Sequence, residues 1–255
     1  MLHWLQKKLV SDETADWIDE CAVWVIQQFD SDAFWHKTQL ILPNATYFPE
    51  TVSGPVPMAR YVLQRVTELA GIDHWPWQLV DIRSASPALP KPLPLNTHHR
   101  FITPPQSSLE IPQPETLPIP FVIDQVSKPQ DLTATIAHTC AQHLIWQSQL
   151  SPPGGMSHFE QAAEVLAVFS GFGLMLTNTA YTYRGSCARC YNPRANRQAS
   201  LSEAESIYVL ALFCHLKKIP KKQVFQFLKP YLKNSYKVAL KQINLRPALP
   251  ITATR

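Results

Sequence analysis

Residues 136–145 read Ile-Ala-His-Thr-Cys-Ala-Gln-His-Leu-Ile, and Ser157-His158-Phe159-Glu160-Gln161-Ala162-Ala163-Glu164 opens the next apolar stretch. A helix turns ~100° per residue, so positions four apart share a face. The zinc-binding pattern H-E-x-x-H places two His on such a face, with a Glu beside the first as general base. Here His138 stands at the first ligand position, Thr139 at the base position and Gln142 at the second ligand position. A hydroxyl cannot do the work of a carboxylate base, and an amide is a poor zinc ligand. His143 follows His138 by five residues and therefore points about 140° away. Glu160 supplies a carboxylate on the following helix, and Glu164 lies one turn further along the same face.

Each of these residues also has an ordinary structural reading. Ser157-x-x-Glu160 is a capping box, in which Glu160 would bond the cap residue's backbone. A single His on a helix face is commonly a hydrogen-bonded core residue. Cys187-Ala188-Arg189-Cys190 has the spacing of a zinc knuckle, with Cys187 and Cys190 as ligands, but no second ligand pair accompanies it. Two loop thiols explain it as well.

Working outward, Asp12 can cap a helix over 12–28, with Trp17, Cys21, Trp24, Val25 and Phe29 on one stripe. Residues 39–42 read as a short strand, 57–70 as a helix stopped by Gly71, and 77–82 as a strand. Residues 85–120 hold ten of the 23 Pro and predict irregular, polyproline-like chain. Residues 119–124 then read as an edge strand or strand start. Beyond them the pattern is helical: 131–149, then 157 to about 180, then a buried helix over 207–216 opened by the box Ser202-x-x-Glu205. Basic helices over 221–229 and 230–243 complete the chain. The expected fold class is α+β, with a small N-terminal sheet, a Pro-rich irregular segment and a helical C-terminal half. The expected parts are 1–127, 128–216 and 217–255, packed as one unit.

Composition narrows the function classes. Seven Gly and no G-x-G-x-x-G or G-x-x-x-x-G-K-[ST] string argue against phosphate-cradling loops. The start of the chain does not read as a signal peptide, and the richest apolar stretch, 165–176, is short for a bilayer span. A cytoplasmic protein without a membrane partner is expected, its five Cys reduced or metal-bound. After Glu205 there are eight Lys, two Arg and no acid, so the last 50 residues carry +10 and the first 205 carry −6. Lys229, Lys233, Lys237 and Lys241 recur every four residues, which a solvated helix face or a basic contact surface would both explain.

His138, Gln142, Glu160 and Glu164 together resemble the gluzincin-type zinc metallopeptidases, in which an H-E-x-x-H helix is followed by an E-x-x-x-D helix. The resemblance extends to uncharacterised bacterial proteins with an A-H-E-L-A-H helix. Those share the segment from Pro43 to Pro49, the F-x-G-x-G run from Phe169 to Gly173, and the S-x-x-E-x-x-Y-x-L-A-L-F run from Ser202 to Phe213. It implies a zincin-like core, with His138, Gln142 and Glu160 at metal-ligand positions, Glu164 behind them and Thr139 at the relic base position.

Three functions follow as expectations. The first is a catalytically inactive zinc-peptidase-like protein that acts by binding or structure, with no cofactor. The second is a metal-dependent hydrolase with a rearranged zinc site using His138, Glu160 and either His143 or Cys140. The third is a basic interaction module for nucleic acid or an acidic protein partner.

Overall fold

A computed structural model describes residues 8–83, 89–93, 100–102, 116–180 and 195–251. The first helix, α1 (Asp12–Gln28), buries Ala15, Ile18, Cys21, Ala22, Val25 and Ile26 along one stripe. Its cap is Ser11 rather than Asp12: the Ser11 hydroxyl accepts from the Thr14 N–H at 3.1 Å. Asp12 sits in the first turn, where a carboxylate favours the positive end of the helix dipole, and pairs with Lys8.

Helix α2 (Pro55–Ala70) begins on Pro55, whose missing N–H costs nothing in a first turn, and ends at left-handed Gly71 (φ 71°). A side chain at Gly71 would also run into the Phe101 ring, 2.5 Å from a Cβ there. Residues 39–42 form no strand, contrary to the sequence pattern. They run as extended chain whose Ile41 N–H donates to the Gly171 carbonyl at 2.9 Å.

Two strands, β1 (Trp77–Asp81) and β2 (Leu117–Phe121), pair in parallel with Trp77 opposite Leu117 and Asp81 opposite Phe121. The second strand starts two residues before the expected one, and residues 123–127 turn into a 3-10 helix instead of extending it. Leu117 N–H donates to Pro76 O, and Phe121 O accepts from Ile82 N–H. Alternation along the strand therefore turns Pro118 and Pro120 away from β1, where a missing N–H is harmless.

The central helix is α3 (Pro129–Ser148), buried on most of its circumference between α2, β2 and the next helix. Trp146 and Gln147 near its end bond the main chain of Pro90, Lys91 and Leu93, which pins part of the Pro-rich segment to the core.

After α3 the single helix expected over 157–180 is broken. A 3-10 turn (Met156–His158) leads into α4 (Phe159–Ala167), then a π-turn (Val168–Phe172) and α5 (Gly173–Asn178). Gly171 has φ 108°, and a Cβ there would lie 2.3 Å from Gln39 O. The widened turn releases the Gly171 carbonyl to Ile41. The two glycines of the F-x-G-x-G run thus seat the 39–41 chain and Leu210, not the cleft beside His138. Met156–Asn178 is long and apolar enough to cross a bilayer by length and composition, yet most of it is buried within the protein.

Helix α6 (Glu203–Leu216) is buried nearly all round and carries a complete capping box, with Ser202 and Glu205 each bonding the other's backbone. Then come α7 (Lys221–Phe227), a 3-10 turn (Pro230–Leu232) and α8 (Lys233–Asn244), which packs on α6. Gln242 of α8 accepts from Leu9 N–H and donates to Val10 O, and Arg246 pairs with Asp16 and Asp19 of α1. The basic end of the chain thereby meets the acidic beginning. One hydrophobic cluster runs from Val10 to Ile243, so all three expected parts contribute to a common core. The fold is mixed α+β, with eight α-helices and a two-stranded parallel sheet among the described residues.

Candidate functional site

Helices α3 and α4 bring His138, Gln142 and Glu160 together. His138 is buried, and its ring Nε2 lies 3.1 Å from the main-chain oxygen of Glu160. A carbonyl oxygen only accepts, so Nε2 carries the proton and donates it. Burial pushes the His138 pKa below its ordinary value; the Glu164 charge opposes this and the Arg197 charge adds to it. The neutral imidazole therefore prevails near pH 7. Gln142 donates its amide Nε2 to Glu160 Oε2 at 2.6 Å, and the same oxygen is 3.7 Å from His138 Nε2.

Zinc would ask for different donor atoms from these residues. A metal at 2.0–2.2 Å needs a lone pair from each ligand. The His138 nitrogen that faces Glu160 is an N–H, and an amide nitrogen has no lone pair to give. The carboxylate of Glu160 already receives the Gln142 amide. As arranged, His138 bonds the Glu160 main chain and Gln142 bonds the Glu160 carboxylate, so direct hydrogen bonds join the two helices at this point. Among the described residues, no three His, Cys, Asp or Glu side chains converge to hold a metal. The Thr139 hydroxyl at the base position donates to Thr135 O at 3.0 Å, one turn back along its own helix.

The expected capping box at Ser157 does not form. Ser157 Oγ donates to Gly154 O at 3.1 Å, within the turn that precedes α4. The competing use of Glu160, across to Gln142, wins because the Gly154-Gly155 turn holds Ser157 in the 3-10 turn rather than at a helix cap.

Glu164 does something the sequence did not announce. It is fully buried and accepts from Arg197 Nη2 at 2.7 Å, from Ser200 N–H at 2.7 Å and from Leu201 N–H at 3.2 Å. Burial would push its carboxyl up, but Arg197 and these hydrogen bonds bring it net below the usual carboxylate value. Arg197 also donates from Nε to Thr179 Oγ1 and from Nη2 to Leu176 O, and its backbone N–H goes to Asp131 Oδ1 at 2.9 Å. Glu164 thus fastens residues 197–201 to α4 and the end of α5. The one signal for Arg197 was indirect: a carboxylate on an otherwise apolar helix face demands a cation from elsewhere.

Beside these groups lies a cleft of 810 Å³, lined by Thr135, His138 and Thr139 of α3, by residues 81–83 and 122–125, and by residues 196–198. His143 and Cys140, the substitute ligands of the rearranged site, are not part of it. His143 Nε2 donates to Pro118 O at 2.9 Å and its ring lies edge-on to Trp77, so it faces the sheet. Cys140 is buried, which pushes its thiol far above the ordinary range. Cys187 and Cys190 lie outside the described residues.

The lysine row is divided rather than continuous. Lys229 precedes α8, is half-buried and lies within the fields of Asp131 and Glu203. Lys233 and Lys237 stand over the Phe225 ring, while Lys241 borders a groove shared with Lys8 and Arg246. No protein-family model matches this chain, and no curated protein or solved structure matches it significantly.

Proposed function

We propose that this chain is a zincin-like protein without peptidase activity, which acts by binding through the cleft beside α3 rather than by catalysis. The observation that carries the proposal is the 2.6 Å hydrogen bond from Gln142 to Glu160, made where the resembling enzymes hold a metal between helices. A direct bond there does the structural task of joining α3 to α4. The Thr139 hydroxyl, spent on its own helix, leaves no base to activate water. General-base catalysis contributes about 10²–10⁴-fold, and a metal that lowers the pKa of bound water contributes further.

The test is hydrolysis of general peptide substrates by the purified chain, with added zinc and with a chelator, alongside elemental analysis. No turnover and no stoichiometric metal are expected. Chelator-sensitive turnover by the native sequence would overturn the reading in favour of a metal-dependent hydrolase.

A further inference from the structure

The ammonium groups of Lys221, Lys233 and Lys237 converge on one ring. Their Nζ atoms lie 5.9, 5.7 and 5.9 Å from the centroid of Phe225, so no two can be further apart than the sum of two such radii. Lys221 comes from α7 and the other two from α8, so the fold and not the helix repeat gathers them. Lys218 and Lys222 are exposed nearby in sequence, and no acid occurs after Glu205. The carboxylates of α1 meet the other end of α8, where Asp16 and Asp19 hold Arg246 and Asp12 holds Lys8. At separations on the scale of the ~8 Å Debye length like charges still repel in part, and an anion placed across the cluster would relieve that repulsion.

We infer that α7, the turn at residues 230–232 and α8 form a docking surface for the phosphate backbone of double-stranded nucleic acid, contacted without sequence preference. Lysines present point charges and lack the planar fork that reads a base edge. Lys233 and Lys237 stand about 6 Å apart along the helix axis. A duplex carries one charge per ~1.7 Å of its axis, so each lysine finds a phosphate. A single strand calls for aromatic platforms on which bases stack. Here the Phe225 face is covered by ammonium groups and Tyr236 is buried, which leaves Tyr231 as one exposed ring. An anionic membrane calls for an apolar helix face to insert. That face of α7 and α8 (Val224, Leu228, Leu232, Tyr236, Ala239 and Ile243) is buried in the core. The surface is separate from the cleft beside α3, so it stands or falls independently of the binding role proposed there.

The experiment is fluorescence anisotropy of a labelled, mixed-sequence DNA duplex of about two helical turns, titrated with the full chain. With four or five phosphates neutralised, affinity should fall about 10²–10³-fold between 50 and 200 mM salt. Replacing Lys221, Lys233 and Lys237 together by Gln should flatten the log–log salt slope by about 2–3 units. Replacing exposed Lys91 should change nothing. Circular dichroism of the triple variant checks its fold, and the salt slope of the native chain tests the claim without any variant. Undetectable duplex binding at low salt would overturn the inference. So would an unchanged slope in the triple variant, or tighter binding to a matched single strand, to polyglutamate or to phosphatidylserine vesicles.

Discussion

Glu160 and Glu164 stand one turn apart on α4 and do opposite things. The Glu160 side chain is 54% exposed and takes a hydrogen bond from a neutral amide. The Glu164 side chain is wholly buried and holds a guanidinium that is 1% exposed. Water competes for the first contact and is excluded from the second, so the same functional group is adjustable at one position and structurally indispensable at the other. The half-exposed locus can lose or change its partner at little cost to the fold. The buried one joins α4 to residues 197–201, which Arg197 in turn ties to the end of α5.

Removing one member of a buried pair leaves the other charged and unsolvated, which costs about 3–5 kcal/mol. Arg197→Met and Glu164→Gln should therefore each lower Tm by roughly 10 °C in thermal unfolding, given about 2–4 °C per kcal/mol for a chain of this size. A loss under a few degrees would mean that the pair is not the fastener described.

Gly171→Ala attacks the scaffold common to both loci. A residue forced to φ 108° costs about 1–3 kcal/mol, and the methyl would strike the Gln39 carbonyl as well. Chemical denaturation should show that loss with an unchanged m-value. Gly155→Ala, where a Cβ meets nothing within 4 Å, should show the backbone strain alone.

Acidification separates the loci by protonation. Burial lowers the pKa of His74, His138 and His143 below that of the unfolded chain. The unfolded state then binds more protons as pH falls below about 6.5, so their contribution to stability is present above that value and is lost towards the lower folded pKa. Tm should fall between pH 7.5 and 5.5, and His138→Gln should make the fall shallower. The depressed Glu164 carboxyl acts in the same sense but only at lower pH, below its unfolded value. A Tm that rises on acidification through pH 6 would contradict the assignment of buried, neutral rings.

Gln142→Ala removes one solvent-accessible hydrogen bond and should cost about 1 kcal/mol or less. The same measurement on Arg197→Met sets the scale. Equal losses at the two positions would erase the distinction between them.

Much of the fold was legible because its signals are local. Pro55 and Gly71 bound α2, and Ser202 with Glu205 opens α6, since caps act within one turn of chain. The same spelling misled at Ser157 and Glu160, where a partner on another helix outcompeted the cap. Residues 39–42 looked like a strand because Leu40, Ile41 and Leu42 form a short apolar run ended by Pro43. Ile41, however, gives its N–H to a carbonyl released by the π-turn at Gly171, which no periodicity encodes. At the site, helix geometry put His138 and Gln142 on one face, while the resemblance alone implied that Glu160 would meet them. Neither pointed to Arg197, because it reaches Glu164 from a non-periodic segment 33 residues away. Charge segregation was visible, but only the packing of α7 against α8 separates paired Lys229 from the cluster over Phe225.

Zinc-dependent thermal stabilisation tests the central claim most directly, comparing the native chain with the double variant Thr139→Glu, Gln142→His. A ligand bound only by the folded state raises stability by about 2.7 kcal/mol at 100 times its Kd. Restoring the second imidazole and the carboxylate should let added zinc raise the Tm of the variant by several degrees, reversed by chelator. The native chain should show no shift at the same zinc concentration. Stabilisation of the native chain by micromolar zinc would contradict the view that His138, Gln142 and Glu160 are joined by direct hydrogen bonds in place of a metal.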